Sequence, residues 1–230
     1  MIGKPFSQIL KNMEFSDIAV QMTDIQIALA ELNVDQTTHQ SSREPAEQLL
    51  NEWEYLSVEH LDQHAFAQTR KIISTLNPIP VVFVHNDFTP WNIVKTENGA
   101  GIFDWGDGNL KGLPLIDLIY GLANVAFLQK NAESVLERQK IYRQLLDPQD
   151  PMGMVFQNCI HSYTQRIGLP SASIGPLRLL TWIRHSLFEF RNHQLETSDN
   201  GNSYDSVCVP FWKMELLIQG PFQSGVKLNG

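Results

Sequence analysis

Four polar side chains in the middle of the chain have the types and spacing of a site for acid–base and metal chemistry. His85, Asp87 and Asn92 lie within eight residues, and Asp104 follows Asn92 by twelve residues. One carboxylate and one amide oxygen can bind magnesium together with phosphate oxygens, because Mg²⁺ prefers oxygen ligands. A second carboxylate can accept the proton of a hydroxyl group. The set predicts phosphoryl transfer, which mainly needs a positioned nucleophile and neutralised phosphate charge.

The segments that carry these residues predict a strand, a tight polar loop and a β-hairpin. Residues 81–84 read Val-Val-Phe-Val, and a β-branched and aromatic run of this kind is typical of a strand. Two further extended runs, 92–96 and 100–105, lie on either side of Asn98 and Gly99. Because Asn-Gly is the strongest short hairpin signal, we expect these two runs to pair.

The expected hairpin determines where the polar groups meet. A hairpin that begins at Asn92 and returns through Phe103 brings Asn92 and Asp104 to the same end. The loop that precedes the hairpin holds Asp87. We therefore expect Asn92, Asp104 and Asp87 to lie together at the open end of the hairpin.

Helices are predicted for most of the remaining chain. Apolar residues recur at three- and four-residue steps in these segments, and prolines or polar loops separate them. Ser16 and Asp17 are typical of a helix start. The predicted helices are 17–33, 45–56 and 59–76 before the strand, and 114–128, 132–146, 152–166, 176–194 and 205–219 after the hairpin. The stretches 33–44, 168–173 and 197–203 read as loops.

The central motif also has a counterpart in a known family. Its pattern is His-x-Asp-x-x-x-x-Asn from His85 to Asn92, then the hairpin, then Phe-Asp-Trp at 103–105. Gly112 to Leu118 adds a proline and an aspartate at the start of the next helix. Over about 81–125 the chain resembles the aminoglycoside phosphotransferase and choline kinase superfamily, small-molecule kinases with a protein-kinase-like fold.

This resemblance implies a role for each candidate residue. Asp87 is expected to be the catalytic base, and His85 is expected to brace the catalytic loop. Asn92 and Asp104 are expected to bind magnesium and, through it, ATP. Asp117 is expected to be a structural carboxylate near the loop. The implied activity is transfer of phosphate from ATP to a hydroxyl of a small molecule.

Two positions depart from the family pattern. Members commonly have an acidic residue at the position of Gly106, whereas here the acid is the next residue, Asp107. An acid that helps to bind the metal would then be displaced by one residue. Asn86 also replaces the small or basic residue that is usual between the histidine and the aspartate.

The lobe that covers the nucleotide in such kinases is not recognisable in this sequence. That lobe is a five-stranded sheet with a loop over the phosphates and a lysine on a strand. Residues before 81 are predicted to be helical, and neither Lys4 nor Lys11 lies in a strand-like run. Gly3 to Phe6 instead resembles the segment just after the hinge between the lobes. The expected fold is therefore α+β, mostly α: a kinase-like C-terminal lobe with a small central β-hairpin.

We expect residues 1–230 to form this single lobe. Its expected parts are a hinge-like start at 1–15, the catalytic loop and metal-binding hairpin at 81–110, a helical subdomain at 111–221 and a frayed tail at 222–230.

Two functions from different classes remain open. The first is a truncated or partial kinase that acts on a small-molecule hydroxyl, with ATP and magnesium as cofactors and possibly with a separately encoded N-terminal lobe as partner. Its enzyme class would be a phosphotransferase with an alcohol group as acceptor, and the chain alone is expected to bind ATP poorly. The alternative is a non-catalytic kinase-like lobe that serves as a binding or interaction module.

Composition excludes several other classes. The chain has 230 residues, a formal net charge of −8, 43% hydrophobic and 18% charged residues, which is typical of an ordered globular protein. An acidic chain without a basic cluster disfavours nucleic acid as a partner. The longest apolar stretch, 113–127, contains Asp117 and is shorter than the ~20 residues that cross a bilayer. Two distant cysteines predict neither a disulfide framework nor a zinc site, so we expect a soluble, cytoplasmic protein.

Overall fold

The computed structural model describes residues 3–32, 43–57, 62–76, 78–97, 99–196 and 206–219. The predicted loop at 197–203, the predicted tail at 222–230, residues 33–42 and Asn98 lie outside these ranges. In chain order the elements are β1 (Lys4–Pro5), α1 (Phe6–Ile9), a 3₁₀ turn (Leu10–Asn12), α2 (Phe15–Glu31), α3 (Arg43–Ser57), α4 (Gln63–Ser74), β2 (Val82–Val84), β3 (Ile93–Thr96), β4 (Gly99–Ile102), β5 (Asn109–Gly112), α5 (Ile116–Gln129), α6 (Val135–Leu146), α7 (Pro151–Ile167), a 3₁₀ turn (Ser171–Ser173), α8 (Ile174–Glu196) and α9 (Val209–Gln219).

These elements form two compact units. The first, unit 1, comprises Met1–Ser42 and Ile79–Ser171, and the second, unit 2, comprises Arg43–Pro78 and Ala172–Gly230. Unit 1 contains all the strands of the described residues and every candidate site residue, whereas the described part of unit 2 is helical. The chain is mostly helical with two small sheets, which confirms the predicted α+β class.

Each of the two sheets of unit 1 combines a strand that precedes residues 85–92 with strands that follow them. β3 and β4 form the antiparallel hairpin, with Ile93 opposite Ile102 and Thr96 opposite Gly99. β1 adds a third strand along β3, and β2 pairs separately with β5. The hairpin closes as expected at Gly99, which has a φ of 131° that only glycine adopts readily.

Helices α2, α5 and α7 build the core of unit 1. α5 is buried on nearly all sides, and α2 packs against both α5 and α7. Gly121 of α5 faces the loop between β2 and β3, where a Cβ would lie 2.7 Å from the carbonyl oxygen of Phe88. Glycine costs about 1 kcal/mol relative to alanine inside a helix. Here its missing side chain lets the loop backbone lie directly on the helix.

Unit 2 is held together by buried aromatic rings and a buried ion pair. Trp53 and Trp212 meet edge to face, with ring centroids 4.6 Å apart. The indole N–H of Trp212 donates to Thr69 Oγ1 at 2.9 Å. Arg178 Nε donates to Glu215 Oε1 at 3.0 Å, and the Glu215 side chain is fully buried.

Removal of the buried carboxylate is expected to destabilise unit 2 strongly. Glu215→Ala leaves the Arg178 guanidinium, whose side chain is only 14% exposed, without its bidentate partner. Breaking a buried pair in this way costs about 3–5 kcal/mol. The free energy of unfolding in urea measures the loss. Glu31→Ala is the matched control, because the Glu31–Arg166 pair is exposed and should contribute at most about 1 kcal/mol. Equal losses in the two variants would contradict the prediction.

The sequence predicts neither β1 nor β5. The expectation that Lys4 lies outside any strand is wrong, because Lys4 and Pro5 pair with Lys95 and Val94. A two-residue strand has no periodicity to detect, and proline is confined to strand edges. β5 has the sequence Asn-Leu-Lys-Gly, which lacks the β-branched residues that are typical of strands.

Several predicted boundaries also differ from the structure, among them the next three. α2 begins at Phe15, one residue before Ser16, and has no side-chain cap. α4 begins only at Gln63, because the Asp62 carboxylate accepts from the backbone N–H of His64 at 2.9 Å and caps the helix there. The second hairpin strand ends at Ile102 rather than at 105, since Asp104 has a left-handed backbone with φ of 62°.

Within the described parts of the chain, no helix combines the length and the apolar character needed to cross a bilayer.

Candidate active site

His85 connects the loop between β2 and β3 to the end of the hairpin. Its side chain is fully buried. Nε2 lies 2.9 Å from the carbonyl oxygen of Phe103, and Nδ1 lies 3.3 Å from the backbone nitrogen of Asp87. Since a carbonyl only accepts and an amide N–H only donates, the imidazole carries its proton on Nε2. The His85 ring thus connects the backbone of the loop at Asp87 to the backbone at the end of the hairpin at Phe103.

Asp117 anchors the start of the loop between β2 and β3 to helix α5. Its carboxylate is buried in the first turn of α5 and accepts from the backbone N–H groups of His85, at 2.6 Å, and Asn86, at 3.0 Å. The first turn of a helix also favours negative charge. Asn86 has a left-handed backbone with φ of 65°, which these bonds support. The expectation that Asp117 is a structural carboxylate at this loop is confirmed.

Asp87 and Asn92 are in direct contact. The Asn92 side-chain N–H₂ donates to Asp87 Oδ2 at 2.7 Å and to the Asp87 carbonyl at 3.0 Å. The same carbonyl accepts from the backbone N–H of Thr89 at 2.9 Å, which tightens the loop. Asn92 is buried, whereas Asp87 is half-buried at the mouth of the loop.

The pKa of Asp87 is raised above its ordinary value. Burial of the carboxylate is the largest cause, and the negative charges of Asp104 and Asp107 add to it. The hydrogen bond from Asn92 and the proximity of His85 act in the opposite direction and lower the pKa. The net effect is a carboxylate that holds a proton more readily than a free aspartate.

The hairpin brings Asn92 and Asp104 to one end, as its sequence predicts. Ile93 and Ile102 pair at the last rung, and the backbone N–H of Phe103 then donates to the Asn92 carbonyl at 3.1 Å. Asp104 follows immediately and is exposed. The negative charge of Asp104 contributes to raising the pKa of Asp87. Asp87, Asn92, His85 and Asp104 therefore share one locality.

Trp105 fixes the segment beyond Asp104, a contact that the sequence does not reveal. Its ring stacks on Phe83 with centroids 5.1 Å apart and lies 4.5 Å from the His85 ring. Its indole N–H donates to the Ile102 carbonyl at 3.1 Å. The Phe-Asp-Trp motif contains this tryptophan, but nothing in the motif indicates its partners.

The Gly106–Asp107 departure has a definite local structure. Asn86 donates through its side-chain N–H₂ to the Asp107 carbonyl at 2.7 Å, and Gly108 N–H donates to the Trp105 carbonyl at 3.0 Å. The two unusual residues, Asn86 and Asp107, are thus bonded to each other. A Cβ at Gly106 would lie 3.9 Å from Asp104 Oδ1, which is ordinary contact. The turn has room for a side chain at 106.

The donors at this site suit a hard cation. The amide nitrogen of Asn92 is committed to Asp87, so Oδ1 is the Asn92 atom that can bind an ion. Asp104 offers exposed carboxylate oxygens close by. Among the residues that the structure describes, no three His, Cys, Asp or Glu side chains form a group able to hold a metal. A magnesium ion bound by one carboxylate and one amide would complete its shell with phosphate oxygens and water.

Comparison with known proteins assigns the family. No curated protein matches the chain in a sequence search. The family model described as the phosphotransferase enzyme family matches residues 9–150, which is more than half of the chain and includes His85, Asp87, Asn92 and Asp104. The match agrees with the resemblance to aminoglycoside phosphotransferase-like kinases. On this evidence of sequence and site, the chain belongs to the phosphotransferase enzyme family.

Proposed function

We propose that the chain carries the base and the magnesium ligands of an ATP-dependent kinase that phosphorylates a hydroxyl group of a small molecule. The observation that carries the proposal is the hydrogen bond from Asn92 to Asp87. It lies at the open end of the β3–β4 hairpin, where Asp104 follows the second strand. A base and two oxygen ligands at one place are the groups that phosphoryl transfer requires. The family match supports a phosphotransferase.

Asp87 is the proposed base. Because Asp87 Oδ2 accepts from Asn92, Oδ1 of Asp87 is the oxygen that we expect to accept the proton of the substrate hydroxyl. In the reaction the hydroxyl proton moves to Asp87, the hydroxyl oxygen bonds to the γ-phosphorus, and the bond to the β–γ bridging oxygen breaks to release ADP. The raised pKa of Asp87 favours this proton transfer, because a stronger base accepts the proton more readily.

Asn92 and Asp104 are the proposed magnesium ligands, and magnesium when bound would neutralise phosphate oxygens. Asn92 also orients Asp87 through its nitrogen, so one side chain couples the base to the nucleotide site. His85 is the proposed brace. It is fully buried and both ring nitrogens are hydrogen-bonded, which supports a structural role within the site rather than proton transfer.

We further propose a kinase-like C-terminal lobe whose nucleotide site is completed by a separate β-rich lobe. Before β2, the strands in the described residues amount to Lys4–Pro5. The described residues before β2 therefore contain neither a sheet that could cover ATP nor a strand lysine paired with a helix glutamate. The separate lobe would supply both the sheet and the lysine. The two free, buried cysteines favour a reducing compartment, so we place this kinase in the cytoplasm.

A second candidate function is a non-catalytic lobe that binds a partner. The observation in its favour is Gly106, which stands two residues after Asp104 where members of the resembled family commonly have an acidic residue. The bonded pair Asn86–Asp107 shows that this turn has its own stable arrangement. Loss of a third carboxylate would weaken the affinity for magnesium and leave the remaining scaffold intact.

Magnesium-dependent nucleotide binding distinguishes the two candidates. We expect calorimetry to show that ATP binds at least about tenfold more tightly with magnesium than without it, a difference of about 1.4 kcal/mol. Asp104→Asn should abolish the difference, because it removes the charged ligand. Asp24→Asn is the matched control, since it removes an exposed carboxylate from α2 of the same unit and should retain the difference.

Equal affinity with and without magnesium would contradict the kinase proposal. If ATP binds too weakly to measure, the same titration is repeated on a fusion that supplies the N-terminal lobe of an active family member. Absence of a magnesium effect in the fusion as well would favour the non-catalytic module.

A further inference from the structure

The segment that carries Asp104 is exposed and has an unusual backbone. Residues 103–108 run from the end of β4 towards the start of β5, and all of them are exposed. Asp104 is left-handed, with φ of 62°, which is uncommon for a residue other than glycine. Such a conformation persists only where the surrounding contacts hold it. The contacts of residues 103–108 therefore determine where the Asp104 carboxylate lies.

His85 holds the first half of this segment. Its Nε2 donates to the Phe103 carbonyl at 2.9 Å, and its ring lies 4.5 Å from the ring of Trp105. Phe103 and Trp105 are the two neighbours of Asp104 in the sequence. The His85 ring thus fixes the backbone where it enters and leaves the left-handed residue.

Asn86 holds the second half of the segment through a side-chain hydrogen bond. Its N–H₂ donates to the Asp107 carbonyl at 2.7 Å. Asp107 lies inside the turn 105–108, which is closed by the bond from the Gly108 N–H to the Trp105 carbonyl at 3.0 Å. The bond from Asn86 therefore ties this turn to the residue that immediately precedes Asp87.

The backbone of Asn86 explains why asparagine suits this position. Its φ is 65°, and asparagine tolerates the left-handed region better than most residues that have a Cβ. The buried Asp117 carboxylate accepts from the Asn86 backbone N–H at 3.0 Å and supports this conformation. Glycine would fit the same backbone but has no side chain that could reach Asp107. A glycine at position 86 therefore separates the side-chain bond from the backbone conformation.

We propose that Asn86 is a positioning residue that holds the turn after Asp104 against the loop that carries Asp87. Together with the contacts of His85, its bond attaches the segment to this loop at residues 103, 105 and 107. Loss of the bond would release the turn and let the Asp104 carboxylate adopt other orientations. The consequence for magnesium rests on the proposed function, because it requires Asp104 to bind the ion.

Asn86→Gly tests the proposal, because glycine keeps the left-handed backbone and removes the bond to Asp107. The Gly108 amide should exchange with solvent at least about threefold faster, since the turn loses an attachment. The magnesium concentration that gives half-maximal ATP binding should rise at least about threefold, because the ligand carboxylate is less well oriented. In the active form, kcat at saturating magnesium should change by less than about twofold.

Asn131→Gly is the matched control. Asn131 is also a left-handed asparagine of unit 1, with φ of 52°, and it follows the C-terminal end of α5. It lies about 20 Å along α5 from Asp117. We expect the control to leave both Gly108 exchange and the magnesium dependence unchanged. Unchanged Gly108 exchange in Asn86→Gly, or equal changes in the two variants, would overturn the proposal.

The two readouts distinguish failure of this inference from failure of the proposed function. If the wild type, alone and in the fusion, shows no magnesium-dependent ATP binding, the proposed function fails, and Gly108 exchange alone decides whether Asn86 holds the turn. If the wild type shows the magnesium effect and Asn86→Gly accelerates exchange without changing the magnesium concentration required, the bond does not orient Asp104. In that case this inference fails alone.

Discussion

Asp87→Asn is expected to abolish phosphoryl transfer while the protein stays folded. The amide cannot accept the hydroxyl proton, and loss of a positioned general base costs about 10²–10⁴-fold in rate. An asparagine oxygen can still accept the bond from Asn92, so the loop keeps its hydrogen bonds. The measurement is transfer of labelled γ-phosphate from ATP to a panel of small alcohols.

The assay uses the chain alone. If the chain alone transfers no measurable phosphate, the assay uses the fusion with the N-terminal lobe of an active family member. Asp24→Asn again serves as the charge-matched control and should retain wild-type turnover. Turnover within a few-fold of wild type in Asp87→Asn would show that another group takes the proton, and the assignment of the base would be withdrawn.

The same substitution should raise rather than lower the stability of the fold. The folded-state pKa of Asp87 is raised, so ionisation of this group disfavours the native state. Below the ordinary aspartate pKa the carboxyl is protonated in both states, and the variant has no such advantage over wild type. As the pH rises through the interval from the ordinary to the raised pKa, the wild type loses stability relative to Asp87→Asn. Melting temperatures measured across this pH range check the sign.

The hairpin and the helices could be predicted because their signals are local. Asn98 and Gly99 predict the turn, and the registered pair Ile93–Ile102 then follows from counting residues back from it. The convergence of Asn92 and Asp104 depends on that register alone. Asp87 is only five residues from Asn92, so its contact needs no long-range information.

Contacts between distant segments could not be predicted in the same way. β5 pairs with β2 across the whole hairpin, and its four residues have little intrinsic strand preference. The stack of Trp105 on Phe83 depends on that pairing, because β2 carries Phe83 to the place where Trp105 also makes a tilted contact with the His85 ring. The bond from Asn86 to the Asp107 carbonyl likewise depends on a left-handed backbone that a single sequence does not indicate.

Asp117→Asn is expected to damage both stability and activity. The buried carboxylate accepts two backbone N–H bonds, at 2.6 and 3.0 Å, and these are charge-assisted. An asparagine has one oxygen and places an N–H₂ donor against the other buried N–H. Hydrogen bonds to charged groups contribute about 1.5–3 kcal/mol each, so we expect unfolding in urea to show a loss of about 3 kcal/mol. Since the loop that carries Asp87 starts at these bonds, phosphate transfer should fall by about 10²-fold.

Glu137→Gln is the control, because Glu137 is also an acid in the first turn of a helix and accepts from the backbone N–H groups of Glu133, at 3.1 Å, and Ser134, at 2.9 Å. The pKa of Glu137 is lowered by these bonds, yet the group is exposed, and water can replace the lost interaction. A small loss of stability and unchanged transfer are therefore expected for Glu137→Gln. If Asp117→Asn proved as mild as this control, the catalytic loop would have to be held by its other contacts, the Phe103 carbonyl on His85 and the Phe88 backbone on Gly121. If it lost stability but kept full activity, the link from the α5 anchor to Asp87 would be refuted.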